Sequence, residues 1–348
     1  MSELTNEFEF NERSRNMRSP LVSVIVTTYG DSSTLARAID SALCQSYTNL
    51  EVIVVDDNGD GTVARSVTER VMARYSGDKK VIYLTHPANL NGSAARNTGI
   101  RQAQGDYITF LDNDDVLLGK RIENAVVALD GNGAGAYFCD VLLVVNDCYA
   151  CVKTRDALTW KDLVFSSSCI GTGSNLFFRR DVVENTGLFD VSFKRNQDIE
   201  YALRVLLEHD AVWGKTLDIV KCSNATNNEQ KLDAYIMTKE HFDDVFSAVI
   251  GRLDAREEVK RKVNRAREIL YFACKEGNRI ACMECFQCLR SLGYPAGKLA
   301  EYKTMLRCSN TAFSSGLEAV ARRLRHFRVK HSLDDEVKSE ISKKLSWS

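Results

Sequence analysis

An apolar run, Tyr107 to Leu111, ends in Asp112, Asn113, Asp114 and Asp115. Side chains of a buried parallel strand are nearly all apolar, and ligands of open α/β sheets bind at the carboxyl ends of the strands. Three carboxylates crowded at such an edge are costly unless a positive charge is shared among them. A hard divalent cation, Mg²⁺ or Mn²⁺, is the natural partner, because it takes one or two carboxylates together with substrate phosphate oxygens. The run therefore points to a nucleotide carrying a diphosphate. The ordinary alternative is Asp112 capping a helix beside solvated neighbours.

Other residues with chemical potential stand where strands give way to helices. Strand-like Val22 to Val26 leads into Thr27, Thr28 and Tyr29, whose amides and hydroxyls suit a nucleotide. Leu35, Ala38, Ile39, Ala42 and Leu43 then share one helical face. A second strand, Glu51 to Val55, ends in Asp56 and Asp57, and a carboxylate there can accept a hydrogen bond from a base N–H. A helix over Val63 to Tyr75, a strand over Val81 to Leu84 and a helix over Ser93 to Ala103 precede the acidic run. Arg96 near the start of the last helix offers a guanidinium to a diphosphate or to neighbouring acids. This alternation predicts an α/β fold with a doubly wound, mostly parallel sheet.

Beyond the acidic run the alternation loosens into a helix over Arg121 to Leu129 and a strand over Ala136 to Val145. A Ser/Gly/Cys segment from Ser166 to Ser174 follows, and this half reads as an acceptor-side subdomain. From Leu232 the pattern turns helical and charged. The expected organisation is a loose tail at 1–20, a catalytic domain at 21–227 and a helical C-terminal region at 228–348.

Composition narrows the function classes. With 348 residues and 44% hydrophobic content the chain can bury a large core, and a net charge of -1 excludes general nucleic-acid affinity. Eleven scattered cysteines and no secretory leader fit a reducing cytoplasm. Cys282, Cys285 and Cys288 invite a metal reading, with Cys274 and Cys308 as further ligands. A continuous helix over Ile280 to Leu292 spreads the three too far apart for chelation. No run approaches the roughly 20 apolar residues that span a bilayer. Leu317 to His331 pairs an apolar face with Arg322, Arg323, Arg325, Arg328 and Lys330, which suits either an anionic membrane surface or a packed helix with a solvated basic face.

Four segments occur in order: Val-Ser-Val-Ile-Val-Thr-Thr-Tyr at 22–29, Glu-Val-Ile-Val-Val-Asp-Asp at 51–57, Ala-Ala-Arg-Asn-Thr-Gly-Ile at 94–100 and Phe-Leu-Asp-Asn-Asp-Asp at 110–115. Together they resemble the family 2 glycosyltransferases of the GT-A fold, as found in bacterial surface-polysaccharide synthesis. The resemblance implies transfer of a sugar from a nucleotide diphosphate donor, usually UDP-linked, with inversion at the anomeric carbon and a bound Mn²⁺ or Mg²⁺. It implies a glycan or polyprenyl-diphosphate-linked acceptor, met at the cytoplasmic membrane surface. It assigns Asp57 to the uracil ring, Asp112 to ribose and metal, and Asp114 to the metal directly, with Asp115 supporting the loop. No Gln-x-x-Arg-Trp element occurs, so a non-processive enzyme is expected.

An inverting transferase needs one carboxylate base opposite the leaving group. Asp198, in Arg195 to Tyr201 after Gly187-Leu188-Phe189-Asp190, resembles the family segment carrying that base, and Glu200 is the reserve. The family has Glu immediately before the base, whereas this chain has Gln197. Two other readings compete: a silent nucleotide-sugar-binding scaffold, and a haloacid-dehalogenase-type phosphatase using Asp112-x-Asp114. The second expects its motif near the start of the domain, and here three strands precede it.

Overall fold

The computed structural model describes residues 19–145, 148–153, 158–166, 169–223, 231–300, 302 and 335–346. Its first half alternates as expected: β1 (Val22–Thr28), α1 (Leu35–Leu43), β2 (Leu50–Asp56), α2 (Val63–Met72), β3 (Val81–Thr85), α3 (Gly92–Gln102) and β4 (Tyr107–Asp112). There follow β5 (Val116–Leu117), α4 (Arg121–Asn132), β6 (Ala136–Val145), β7 (Cys148–Val152), α5 (Trp160–Phe165), β8 (Phe177–Arg179), α6 (Arg180–Thr186), α7 (Gln197–Glu208) and β9 (Ala211–Ser223). All nine strands share one sheet in the order β3-β2-β1-β4-β8-β6-β9-β5, with β7 added to β6.

β3, β2, β1 and β4 are parallel, as the helical crossovers between them require. The second half is mixed. β8 runs antiparallel to β4 and β6, and β5 antiparallel to β9, while β6 and β9 are parallel. Register sets the functional edge: Thr28 lies opposite Asp56 and Thr27 opposite Asp112, so the acids ending β2 and β4 emerge level with the end of β1.

Successive strand residues feed opposite faces of the sheet. Val22, Val24 and Val26 pack with Val52, Val54 and Leu111 against Leu35 and Ile39 of α1 and Ile122 and Leu129 of α4. Ile25, Ile53, Ile108 and Phe110 pack on the other face with Ala95 of α3 and with Ile199, Leu203 and Leu206 of α7. α3 reaches β1 only because position 99 is glycine, since a Cβ there would lie 2.3 Å from Ile25 Cγ2.

The C-terminal region is helical in its described parts: α8 (Leu232–Val245), α9 (Ser247–Ile250), α10 (Ala255–Glu276), α11 (Arg279–Ser291) and α12 (Asp335–Leu345). β9 ends before, and α8 begins after, the 227/228 boundary, which itself lies outside the described residues. Phe242 of α8, with Phe246 just after it, joins the sheet's own core, whereas α10 and α11 form a separate cluster around Leu270, Cys274, Cys282, Phe286 and Leu289. On α11, Cys282 and Cys285 are buried and Cys288 is exposed, so the three diverge as helical spacing requires. Ile341 of α12 packs on Val116, Leu118, Leu142 and Val220. Among the described residues no helix is long and apolar enough to cross a membrane. The basic segment Leu317 to His331, Cys308 and nearly all of the 1–20 tail lie outside the described residues.

Gly99→Ala is expected to cost about 1–3 kcal/mol, the usual penalty for forcing an extra carbon into a packed interior. The urea midpoint measures it, and an unchanged midpoint would mean that α3 can back away from β1.

Candidate active site

At the end of β2 two adjacent carboxylates are held differently. Asp56 is buried, with Arg65 Nε 2.9 Å from its Oδ2, Tyr83 OH donating to the same oxygen at 2.7 Å, and the Asn58 amide donating to Oδ1 at 2.9 Å. Asp57 takes the His86 Nδ1 bond at 2.7 Å and the Leu90 amide at 2.8 Å on Oδ1, and Asn89 Nδ2 at 2.9 Å on Oδ2. Asp57 is buried as well, at 2% exposure, and with two bonds on Oδ1 and one on Oδ2 its spare acceptor capacity lies on Oδ2. His86 is anchored in turn by Thr98 Oγ1 at 2.9 Å from Nε2.

The end of β1 lies beside this pair. Thr27 is half-buried and Tyr29 is 63% exposed. Thr28 is buried, its hydroxyl accepting from Asn113 Nδ2 at 3.2 Å and lying 3.4 Å from Ser32 Oγ. Its side chain thus joins β1 to the acidic loop instead of opening to a ligand.

The loop after β4 concentrates charge. Asp112 Oδ1 accepts from Arg96 Nη2 at 2.7 Å, and Thr172 Oγ1 lies 3.4 Å from Oδ2. Asp115 is buried: its Oδ2 accepts from Thr172 and Ser174 hydroxyls, each at 2.7 Å, and its Oδ1 has no partner. It supports the loop, as expected. Asp114 stands exposed at the tip, with its carbonyl accepting from Arg37 Nη2 at 3.1 Å. Enclosure by the cleft and the Asp112 charge push Asp114 up to about 6, and burial with the Asp114 and Asp112 charges pushes Asp115 up to about 7. Water screens Asp114, so Asp115 bears more of this repulsion.

Arg96 links the loop to the opposite wall. Asn91, at φ 79°, caps α3 by accepting from the Ser93 and Ala94 amides, which aims the first turn into the cleft. From that turn Arg96 donates to Asp112 and, through Nη1 at 2.7 Å, to Gln197 Oε1; its Nε and the buried Ser93 Oγ have no partner. Asn97 makes a reciprocal pair with the Phe189 backbone at 2.9 and 2.8 Å, locking α3 to the turn before α7.

Asp198 occupies the first turn of α7, half-buried, and its carboxylate accepts no hydrogen bond from a described residue. Glu200 differs sharply. It is 2% exposed and bound to Arg204 Nε at 2.5 Å, while Arg204 also holds the carbonyls of Thr186 and Leu188 at 2.7 and 2.8 Å. The reserve candidate is thus a fastening for the turn. Lys221 of β9 comes into the same cleft, under the charges of Asp115, Asp112, Asp198 and Asp114. Burial opposes its ammonium, but those carboxylates outweigh it and raise the pKa. Sequence reasoning missed Lys221, and the one available signal was a lysine directly after the apolar pair Ile219-Val220. His86 and Asn113 were missed as well, because each acts through a partner distant in sequence.

The donor set suits a hard cation. Asp112 and Asp114 offer carboxylate oxygens, and burial, with the neighbouring carboxylate charges second, has raised Asp114 and Asp115. Among the described residues no three acidic, histidine or cysteine side chains form a complete metal cage, so substrate phosphate would have to complete the site. Asp114 and Asp112 are the residues that would hold such a cation.

Residues 23–187 match the family model described as glycosyl transferase family 2. The chain carries a family 2 glycosyltransferase domain. It is 27% identical over 262 residues to an uncharacterized glycosyltransferase of Rickettsia prowazekii, covering 71% of this chain and 77% of that one. It is 28% identical over 205 residues to WcaA of Escherichia coli, named as a colanic acid biosynthesis glycosyl transferase, covering 56% and 69%. In fold it is similar to residues 1–349 of S. aureus TarS, solved in complex with UDP-GlcNAc, at TM-score 0.51 and 14% identity, covering 78% of this chain and 90% of that one. The glycosyltransferase therefore has the GT-A architecture, and the acidic loop and α3 both fall inside the matched segment.

The raised acids set a pH dependence. An acid that binds its proton more tightly in the folded state costs stability as pH rises through its folded pKa. The metal-free enzyme should lose thermal stability between pH 5 and pH 8, and Asp115→Asn should flatten that slope. Mn²⁺ should raise the melting temperature at pH 8 and do little at pH 5, where Asp114 and Asp115 hold protons. Equal Mn²⁺ stabilisation at both pH values would break the link between this loop and the cation.

Proposed function

We propose that this glycosyltransferase moves a sugar from a UDP-linked donor to a glycan or polyprenyl-diphosphate-linked acceptor, with Mn²⁺ or Mg²⁺ bound and with inversion at the anomeric carbon. The observation that carries the reading is the Asp198 carboxylate, which accepts no hydrogen bond from a described residue and stands in the first turn of α7 beside Gln197, the residue that Arg96 joins to Asp112. A base must keep a lone pair for the incoming hydroxyl, and Asp198 alone of the two expected acids does so.

In this reading the base contacts Asp57 Oδ2, the position left open by His86, Asn89 and Leu90. Thr27 and Tyr29 border the nucleoside, and Asp112 faces the ribose. Arg96 and the first turn of α3 steer the diphosphate, helped by the unpartnered Ser93 Oγ and Arg96 Nε. Asp114 and Asp112 would hold the cation, which would supply positive charge to offset the charge of the departing diphosphate. Asp198 takes the acceptor proton as the acceptor oxygen attacks from the opposite face, and one such displacement inverts the anomeric centre. The UDP-GlcNAc complex of TarS supports a UDP donor, and the name of WcaA supports a polysaccharide product. The proposed setting is the cytoplasmic membrane face, for which the basic amphipathic pattern of Leu317 to His331 is the motive.

Thermal shift against a panel of nucleotide sugars, with and without Mn²⁺, tests donor and metal together. Stabilisation by none of them overturns the reading. Asp198→Asn should keep donor binding and cut transfer by a factor on the order of 10²–10⁴, with the fold unaffected. Glu200→Gln should do the reverse, lowering the melting temperature by loosening Arg204 while sparing much of kcat. If Glu200→Gln abolishes transfer and Asp198→Asn does not, the base is misassigned. Retention at the anomeric carbon, read by NMR of the product, would reject the single displacement.

A further inference from the structure

Lys221 has no role in the reading above, and its surroundings are unusual. It follows Ile219 and Val220, both fully buried, and sits opposite Leu143 in the β6–β9 ladder. Its Nζ donates to the Gly171 carbonyl at 3.1 Å. That carbonyl belongs to a fixed turn, since Gly171 has φ 81° and a Cβ there would press on Val141 at 3.2 Å. Four carboxylates, Asp115, Asp112, Asp198 and Asp114, act on the ammonium, yet none lies within ion-pairing distance of it. An ammonium has three N–H donors. A cation enclosed by acids and bonded to none of them has donors to spare in the space between the metal loop and the base.

We propose that Lys221 is a diphosphate-binding residue, donating to the β-phosphate of the bound nucleotide sugar and of the nucleoside diphosphate left after transfer. This rests on the reading of the cleft as a nucleotide-sugar site. The β-phosphate is the phosphate joined to the transferred sugar, so it must lie between the loop that holds the donor and the base that activates the acceptor. Lys221 is held at the Gly171 carbonyl, next to Thr172, whose hydroxyl bonds Asp115 at 2.7 Å and lies 3.4 Å from Asp112 Oδ2, so its ammonium stands beside that loop. In the transfer the acceptor oxygen bonds to the anomeric carbon, the bond from that carbon to the β-phosphate oxygen breaks, and its electron pair stays on the phosphate. The acceptor proton goes to Asp198, and Lys221 keeps its own. A donor fixed at that oxygen strengthens as charge arrives there, which is the condition for stabilising a transition state rather than a ground state.

Calorimetry of UDP and UMP binding to the full chain, in Mn²⁺ and in EDTA, decides the matter. Lys221→Met should weaken UDP about tenfold or more, as expected for a lost hydrogen bond to a charged group, and leave UMP within about twofold. The UDP loss should be larger in EDTA, where Lys221 and Arg96 are the positive charges left to the diphosphate, and Lys221→Arg should restore part of it. Lys221→Gln, which keeps a donor without the charge, is read in the same way if the methionine variant does not fold. Equal losses for UDP and UMP would make Lys221 a structural counter-charge, and unchanged UDP affinity would remove it from the site; either result overturns the proposal. If the unaltered chain binds neither nucleotide in either buffer, the nucleotide-sugar reading itself has failed.

Discussion

Carboxylates gathered at one edge of a parallel sheet are the constraint around which this molecule is built. The register of β1 with β2 and β4 leaves no choice, because Asp56 and Asp112 must emerge beside Thr28 and Thr27. Like charges so close raise one another's pKa unless cations or donors compensate them. The edge is compensated unequally. On the β2 side Arg65 and Tyr83 satisfy Asp56, while His86, Asn89 and Leu90 bind Asp57. On the β4 side Arg96 answers Asp112 alone, and Asp114 and Asp115 remain raised. The first half suits recognition of a base by a preorganised acceptor, and the second suits a ligand that brings or shares positive charge.

Arg96 couples these halves to the proposed base, and its own position is over-determined. Gly99 lets α3 lie on β1, Asn97 ties the helix to Phe189, and the guanidinium lies 5.7 Å from the centre of the Phe189 ring. Gln197 fits this arrangement in a way glutamate does not. Its Oε1 accepts from Arg96 while its Nε2 donates to the Phe193 carbonyl at 2.9 Å. A carboxylate would serve the arginine and leave that buried carbonyl without its donor. The departure from the family's acidic residue is therefore consistent with an amide bonded at both its oxygen and its nitrogen, and it leaves Arg96 with one carboxylate partner and charge to offer a phosphate.

The parts of the site that were legible in sequence are those written locally. A strand of apolar residues running into acids announces its own edge, so Asp57, Asp112 and Asp114 stood out, as did the helix carrying Arg96. Asp198 and Glu200 could not be separated from sequence, because both lie in one helical turn. What separates them is Arg204, one turn on, and the turn carbonyls it holds. Lys221 was out of reach for another reason: β9 pairs with β6 through a register shift near Cys139 and Asp140, so strand alternation no longer tells which face a residue meets. The mixed second half of the sheet was equally hidden, since β8 and β5 have three and two residues and carry almost no periodic signal.

The helical C-terminus shows why sequence distance misleads about the loop. β5 follows Asp115 directly and is an edge strand, so its free backbone groups need partners from outside the sheet. α1 and α12 supply them together: the Leu117 amide donates to Ser41 Oγ at 3.1 Å and the buried Lys344 donates to the Leu117 carbonyl at 2.7 Å, while just past the strand Glu340 accepts from the Gly119 amide at 2.6 Å. Burial lowers the Lys344 pKa, with the Glu340 charge acting against that shift. Ile341, between them, seals the contact against Val116 and Leu118. The acidic loop is thus gripped on one side by Thr172 and Ser174 and on the other by a helix more than two hundred residues away. Carboxylates that repel one another hold a fixed geometry only when the backbone beneath them cannot relax, and the distal helix provides that resistance where the strand itself is too short to do so.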